Sequence, residues 1–354
     1  MEHLIIPKKL YGRENEISVL KESFIRASLG NAEVLLIPGN SGVGKTVLVN
    51  ELRNPIKNGN GFFITGKFEQ YQQNVPYFAF RQALAKLCTE LQSEDEQKRV
   101  LFKTEILQAI GTQAQVLIDL VPEFESFLGV QPPLAAISPQ EARHRFAEVM
   151  RNFLGVVCRP EHPLVLFIDD MQWAGIDSFD LLKQLQVGKT LRYLLVVVAY
   201  RDNEINSVHP LLSTLDELKR NDVPITELKV KNITQNSVVE ILKDTLLPTA
   251  KNVSDLARIV EDKTKGNPFF VKSLIVFLLD FKLLWFDDKQ KCWKWKIDEE
   301  NEHILPENIL ELFVMKLNRL NKDVSSLFSL AACLGNRFNI ENLSIISGRN
   351  VFEC

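Results

Sequence analysis

Gly39-Asn40-Ser41-Gly42-Val43-Gly44-Lys45-Thr46 matches the pattern G-x-x-x-x-G-K-[ST] at each fixed position, and residues of these types at this spacing hold phosphate. Glycines let the backbone turn tightly so that its N–H groups face phosphate oxygens, and the start of a following helix adds the positive end of its dipole. Lys45 is then placed to reach the β- and γ-phosphates of a nucleoside triphosphate, and the Thr46 hydroxyl to ligate Mg²⁺. Two carboxylates close a second apolar run, Leu164-Val165-Leu166-Phe167-Ile168-Asp169-Asp170. Asp169 suits a Mg²⁺ ion held through its water shell, and Asp170 suits the γ-phosphate side, where it would orient or deprotonate the attacking water. A third run, Leu194 to Tyr200, ends in Arg201-Asp202-Asn203-Glu204. A guanidinium at that end can sense or stabilise charge on a γ-phosphate, or it can serve only as an ion-pair partner of Asp202, Glu204 or Asp170.

These groups meet only if the runs that carry them are parallel strands of one sheet, because ligands of such sheets lie at the carboxyl ends of the strands. From Tyr11 to about Lys231 strand-like and helix-like segments alternate, which predicts an α/β fold: a P-loop NTPase with a parallel sheet flanked by helices. The predicted strands are Val34–Pro38, Phe62–Thr65, Leu164–Ile168, Tyr193–Ala199 and Ile225–Val230, with a helix from Thr46 to Leu52 directly after the loop. A long insertion with helical pattern, about residues 77–153 and broken at Gln131-Pro132-Pro133, separates the second strand from the third; such an insertion covers an edge or carries a partner surface.

After residue 231 the period changes. Ser237–Leu246, Val253–Thr264, Pro268–Leu279 and Glu307–Leu320 read as helices of a second domain, residues 232–321, with a hairpin at about 283–297. Pro268 follows Gly266-Asn267 and fits a first helical turn, where no N–H is needed. Val324–Cys333 begins another segment, 322–354, too short to close a core of its own, so the chain reads as one module of something longer.

Composition narrows the partners. The 354 residues are 45% hydrophobic and 25% charged, as in ordinary soluble proteins, and the net charge of -3 supplies no basic field for nucleic acid. Five scattered cysteines form no C-x-x-C pair, which argues against a disulfide framework and a zinc site and for a reducing, cytoplasmic setting. The start of the chain lacks a secretion signal, and the most apolar stretch, Phe269–Phe286, is broken by Lys272, Asp280 and Lys282, so no membrane span is expected. Trp293-Lys294-Trp295-Lys296 is flanked by Asp287, Asp288, Asp298, Glu299 and Glu300, which favours an amphipathic hairpin over a nucleic-acid face. His144 is assigned to a solvated face and His209-Pro210 to the start of a helix.

Taken together, Leu10-Tyr11-Gly12-Arg13-Glu14, the run Gly39 to Thr46, Phe167-Ile168-Asp169-Asp170-Met171-Gln172-Trp173-Ala174, Ala199 to Glu204 and Gly266-Asn267-Pro268-Phe269-Phe270 resemble the AAA-type ATPase module of the STAND class, the signal-transduction ATPases, which is related to origin-recognition AAA proteins. The resemblance covers nearly the whole chain and is nearest to the ATPase region embedded in large sensor serine/threonine and histidine kinases. It implies ATP with Mg²⁺ as ligands and linked kinase or sensor domains as partners, and a nucleotide-dependent oligomer is compatible with it. It further implies that Tyr11, Gly12 and Arg13 line the adenine, that the helical domain is a lid touching the base through Pro268, and that 322–354 begins a winged helix. The second acidic position is Asp170 where remodelling motors usually carry Glu, which predicts slow hydrolysis suited to a signalling switch. Kinase chemistry does not carry over, since neither an H-R-D loop nor a D-F-G triplet is present. Alternatives are a nucleotide-binding scaffold without turnover and a nucleic-acid-associated ATPase; phosphoryl transfer to a small molecule is disfavoured.

Overall fold

A computed structural model describes residues 4–73, 75–187, 191–246, 253–297, 304–335 and 338–353; Asp298, Glu299, Glu300 and Cys354 lie outside the described residues. The chain divides into two compact units, Leu10–Lys231 and Asn232–Cys354, the latter together with residues 1–9.

The first unit runs α1 (Glu14–Ser28), β1 (Glu33–Pro38), α2 (Lys45–Asn50), α3 (Arg53–Asn58), β2 (Phe62–Lys67), α4 (Phe78–Ser93), α5 (Glu96–Ile110), α6 (Ala114–Leu120), α7 (Phe124–Leu128), α8 (Pro139–Val157), β3 (Leu164–Asp169), α9 (Ile176–Gln186), β4 (Leu194–Tyr200), α10 (Pro210–Arg220) and β5 (Ile225–Glu227). All five strands are parallel, in the order β2-β3-β4-β1-β5. Every residue of β1, β3 and β4 is buried, as expected of strands with a covered face on each side.

Side-chain alternation sorts the strands into two cores. Leu35, Ile37, Phe63, Val165, Phe167, Val197 and Ala199 pack with Leu20 and Ala27 of α1 and Leu48 and Val49 of α2. On the other face Val34, Leu36, Ile64, Leu166, Ile168, Val196 and Val198 meet the helical insertion, including Phe80, Leu84, Phe124, Phe153 and Leu154. The insertion therefore completes the second face of the sheet. Its break at Pro132-Pro133 falls between α7 and α8, and α8 restarts with a capping box between Ser138 and Glu141.

Every strand limit differs from the sequence reading: β1 starts one residue earlier at Glu33, β2 and β3 run on to Lys67 and Asp169, β4 is shifted by one residue to Leu194–Tyr200, and β5 is shorter. Tyr193 has φ 57°, a left-handed and not an extended conformation, so β4 begins at Leu194, although Tyr193 O still accepts the Leu164 N–H at 2.9 Å. β5 ends at Glu227, three residues before the predicted Val230, although Leu228 and Val230 still donate to Leu36 O and Pro38 O at 2.8 and 2.9 Å. As an edge strand it has one neighbour; Ile225 and Thr226 are half-buried and Glu227 is exposed.

The second unit contains α11 (Gln235–Thr245), α12 (Val253–Thr264), α13 (Pro268–Asp280), the antiparallel hairpin β6 (Leu284–Asp287) and β7 (Cys292–Trp295), then α14 (Ile309–Leu317), α15 (Lys322–Leu334) and α16 (Ile340–Ser347). Capping side chains set several starts: Thr234 accepts from Ser237 N–H, Asn267 from Phe269 and Phe270 N–H, and Asn308 from Glu311 N–H. The Asn308 cap sets the start of α14 at Ile309, two residues after the predicted 307, and the helix ends at Leu317, three before the predicted 320. Among the described residues no helix is long and apolar enough to cross a membrane.

Candidate nucleotide site

At the carboxyl end of β1 the chain leaves the sheet at Gly39, whose N–H donates to Tyr200 O on β4. The loop then closes into α2 through Gly44, which has φ 97°, a conformation that a side chain would strain. Lys45, the first residue of α2, is 7% exposed and curls back over the loop, its Nζ donating to Gly39 O at 2.6 Å and Asn40 O at 3.0 Å. Burial pushes its pKa below the ordinary lysine value, and the nearby Asp169 and Asp170 charges oppose that shift. The ammonium is thus held in the mouth of the loop by weak carbonyl partners that phosphate oxygens can replace.

Next in α2, the Thr46 hydroxyl donates to Asp169 Oδ2 at 2.7 Å, joining the loop to the end of β3 across 123 residues of sequence. Asp169 Oδ1 accepts the Asp170 N–H at 3.0 Å. Burial raises the Asp169 pKa and the Asp170 charge adds to this, while the bond from Thr46 opposes it. A buried carboxylate with a hydroxyl beside it and a second carboxylate next in sequence is a hard-oxygen set that a divalent cation would relieve, so Thr46 and Asp169 fit Mg²⁺.

Asp170 follows in the left-handed region, φ 52°, a conformation Asp tolerates better than most residues. Both of its oxygens are engaged. Oδ2 lies 2.9 Å from Lys67 Nζ; Oδ1 accepts from Gln172 Nε2 at 3.0 Å and lies 3.4 Å from Arg201 Nε. Burial would raise its pKa, but the bonds from Gln172 and Lys67 and the charges of Lys67 and Arg201 outweigh burial and hold it below the usual range. Arg201 arrives from the end of β4, stacks over Trp173 at 4.7 Å and bonds Glu204 at 2.7 Å. Arg201 sits at the loop end of the sheet, and there it is the ion-pair partner of Asp170 and Glu204 that the second of its two sequence readings expects.

Of the remaining expected site residues, Tyr11 and Arg13 are buried and Gly12 has φ 60°. The Arg13 guanidinium donates to Val43 O at 3.1 Å and Lys231 O at 2.5 Å and pairs with Glu16 at 2.7 Å. It ties the phosphate loop at Val43 to the chain at Lys231. Pro268 is the first residue of α13 in the second unit, after the Asn267 cap. His209, expected at a helix start, caps α10 by accepting the Leu211 N–H.

Two contributors escaped the sequence reading. Lys67 closes β2 in register with Asp169, so its place at the site follows from β2 pairing with β3. Gln172 was noted only as part of a motif; nothing in its spacing shows that its amide bridges two strand ends.

Residues 9–197 match the sequence profile of the AAA ATPase domain family. Hybrid signal transduction histidine kinase G of Dictyostelium discoideum is 26% identical across 99% of this chain, which corresponds to 12% of that protein. Peroxide stress-activated histidine kinase mak3 of Schizosaccharomyces pombe is 21% identical across 89% of the chain and 15% of its own length. The chain thus spans only about an eighth to a seventh of these curated relatives. Among solved structures, Cdc6p from Pyrobaculum aerophilum aligns with a TM-score of 0.43 and 16% identity, over 78% of this chain and 63% of that one.

Proposed function

This chain belongs to the AAA ATPase domain family, and we propose that it acts as an ATP-binding regulatory ATPase, a slow, Mg²⁺-dependent nucleotide switch that serves a linked signalling domain. The observation that carries the reading is the convergence of Lys45, Thr46, Asp169, Asp170 and Arg201 at one end of the parallel sheet, joined by the 2.7 Å Thr46–Asp169 bond.

With ATP in the loop, Lys45 exchanges its contacts with Gly39 O and Asn40 O for β- and γ-phosphate oxygens. Thr46 and Asp169 would hold Mg²⁺, which when bound neutralises charge on the phosphates. Asp170 orients a water for in-line attack on the γ-phosphorus: the water oxygen forms the new bond, its proton passes to Asp170 and from there to the released phosphate, the bond to the ADP oxygen breaks, and Arg201 offsets charge on the transferring group. A water competes for Asp170 with Lys67, Gln172 and Arg201, which together engage both of its oxygens. That engagement supports slow turnover. It also supports the second reading, a scaffold that binds ATP without hydrolysing it.

The similarity to histidine kinases supports a kinase or sensor domain as partner, with the STAND class as the finer assignment. In this proposal Tyr11, Gly12 and Arg13 lie toward the adenine, Pro268 carries the nucleotide signal into the helical unit, and 322–354 begins a winged helix. Buried free thiols at Cys88 and Cys158 agree with a cytoplasmic setting.

The test is phosphate release by the wild type beside Asp170→Asn, with dissociation constants for ATP and ADP measured on both. A slow wild-type rate that falls at least tenfold in the variant at unchanged affinity is expected. Equal, near-zero rates with intact ATP binding would leave the scaffold reading, and an absence of nucleotide binding would remove both.

A further inference from the structure

Gln172 lies in the short turn Met171–Trp173 between β3 and α9 and is 6% exposed. Its side-chain amide is divided between two strand ends. Nε2 donates to Asp170 Oδ1 at 3.0 Å, and Oε1 accepts the Arg201 backbone N–H at 3.1 Å. Its main-chain oxygen accepts from His209 Nε2 at 3.0 Å, and His209 Nδ1 accepts the Leu211 N–H at 3.1 Å. That pair of bonds fixes the neutral tautomer of His209 with its proton on Nε2 and anchors the turn on the first turn of α10. The adjacent Trp173 ring lies under the Arg201 guanidinium. One anchored turn therefore touches the acid through an amide N–H, the strand carrying the arginine through an amide oxygen, and the guanidinium through a ring.

An amide engaged at both ends has no slack. If Asp170 turned toward a ligand alone, Gln172 would lose a buried bond at one end or draw the Arg201 backbone with it, and a buried polar atom left without a partner is costly. We infer that Gln172 is a positioning residue that couples Asp170 to Arg201, so that carboxylate and guanidinium respond to a γ-phosphate as one unit. This inference rests on the reading of the cluster as an ATP site.

The chain tests it through dissociation constants for ATPγS and ADP, each with Mg²⁺, in the wild type, Gln172→Leu, Arg201→Ala and the double variant, with thermal unfolding alongside. The wild type is expected to distinguish the two nucleotides. Gln172→Leu should move the ratio of the two constants by about tenfold toward the Arg201→Ala value, as expected for a lost bond to a charged group. ADP affinity should stay within about twofold, and the double variant should go no further than Arg201→Ala. Gln172→Glu keeps the shape and the acceptor for the Arg201 N–H but sets an anion against Asp170; it should shift the ratio in the same sense and carries the test if the leucine variant fails to fold. A wild-type ratio in both Gln172 variants, or additive effects in the double variant, overturns the coupling. A wild type that binds both nucleotides equally overturns it too and leaves the ATP site standing; a wild type that binds neither removes the site and the coupling together.

Discussion

Asp170 is held by two different kinds of contact, and their energies decide which one limits the site. Gln172 is buried, whereas the Lys67 side chain is 51% exposed, so the Lys67 pair is screened and worth about 0–1 kcal/mol. Lys67 is therefore the partner released at least cost. Lys67→Met should raise phosphate release by up to about fivefold, the whole value of such a pair, at unchanged ADP affinity; a lower rate in single-turnover measurements would show instead that Lys67 assists the reaction. At this scale the sequence is most legible where a residue acts through the shape of its own local segment. Lys45 and Thr46 follow from the loop pattern alone, and Asp169 from its place at a strand end. Lys67 and Gln172 act through partners brought to them by the sheet, and their types are common at any solvent-facing turn.

At the scale of elements, β1 and β2 each carry a residue whose role is set by a neighbour. Glu33 opens β1 fully buried and accepts from Arg26 of α1 at 2.7 and 2.8 Å and from the Thr226 hydroxyl of β5 at 2.7 Å. Burial pushes the Glu33 pKa up, but the bonds from Arg26 and Thr226 prevail and hold it below the ordinary value. A lowered folded-state pKa means that this stabilisation is complete above the unfolded carboxyl pKa of about 4.3 and is lost as pH falls through the folded value. Glu33→Gln should cost about 1–2 kcal/mol at pH 7, the lower end of a charged hydrogen bond because Arg26 is partly exposed. Its melting temperature should then fall less steeply than the wild type's on acidification, a difference calorimetry between about pH 6 and 3 would detect. In β2, a Cβ at Gly66 would lie 1.7 Å from Ala79 O of α4, a backbone atom with no rotamer to yield. Gly66→Ala should therefore destabilise the chain by about 3 kcal/mol, the upper end of overpacking, as a lower midpoint in urea. The predicted strand ends at Thr65, one residue before this glycine, and only the packed helix shows why a methyl is forbidden there.

For the whole molecule, the pattern of thiol burial offers a check that does not depend on nucleotide. Cys88 and Cys158 are buried, and burial pushes the Cys88 thiol up to about 11 and Cys158 higher still, whereas Cys333 is exposed. A thiolate is the reactive form, so an aromatic disulfide reagent should modify Cys333 quickly and Cys88 and Cys158 only when the chain unfolds. Rapid modification of Cys158 in the native protein would contradict the burial of the segment after α8 in the core that the sheet shares with the insertion.

Much of the architecture at this scale is legible because burial imposes period: strands covered on both faces are unbroken apolar runs, and the change to helical spacing after residue 231 marks the second unit. By itself the sequence determined the phosphate loop, the five strands that order the site and the acid that follows β3, since each is a local pattern set by backbone geometry or by burial along a single element. Tertiary structure decided the strand order β2-β3-β4-β1-β5, the covering of one sheet face by the insertion and the engagement of Asp170 by Lys67, Gln172 and Arg201. Apart from the Gln172 bond to Asp170, which is local in sequence, those depend on contacts between segments tens to more than a hundred residues apart, and such contacts leave no periodic trace in the segments that make them.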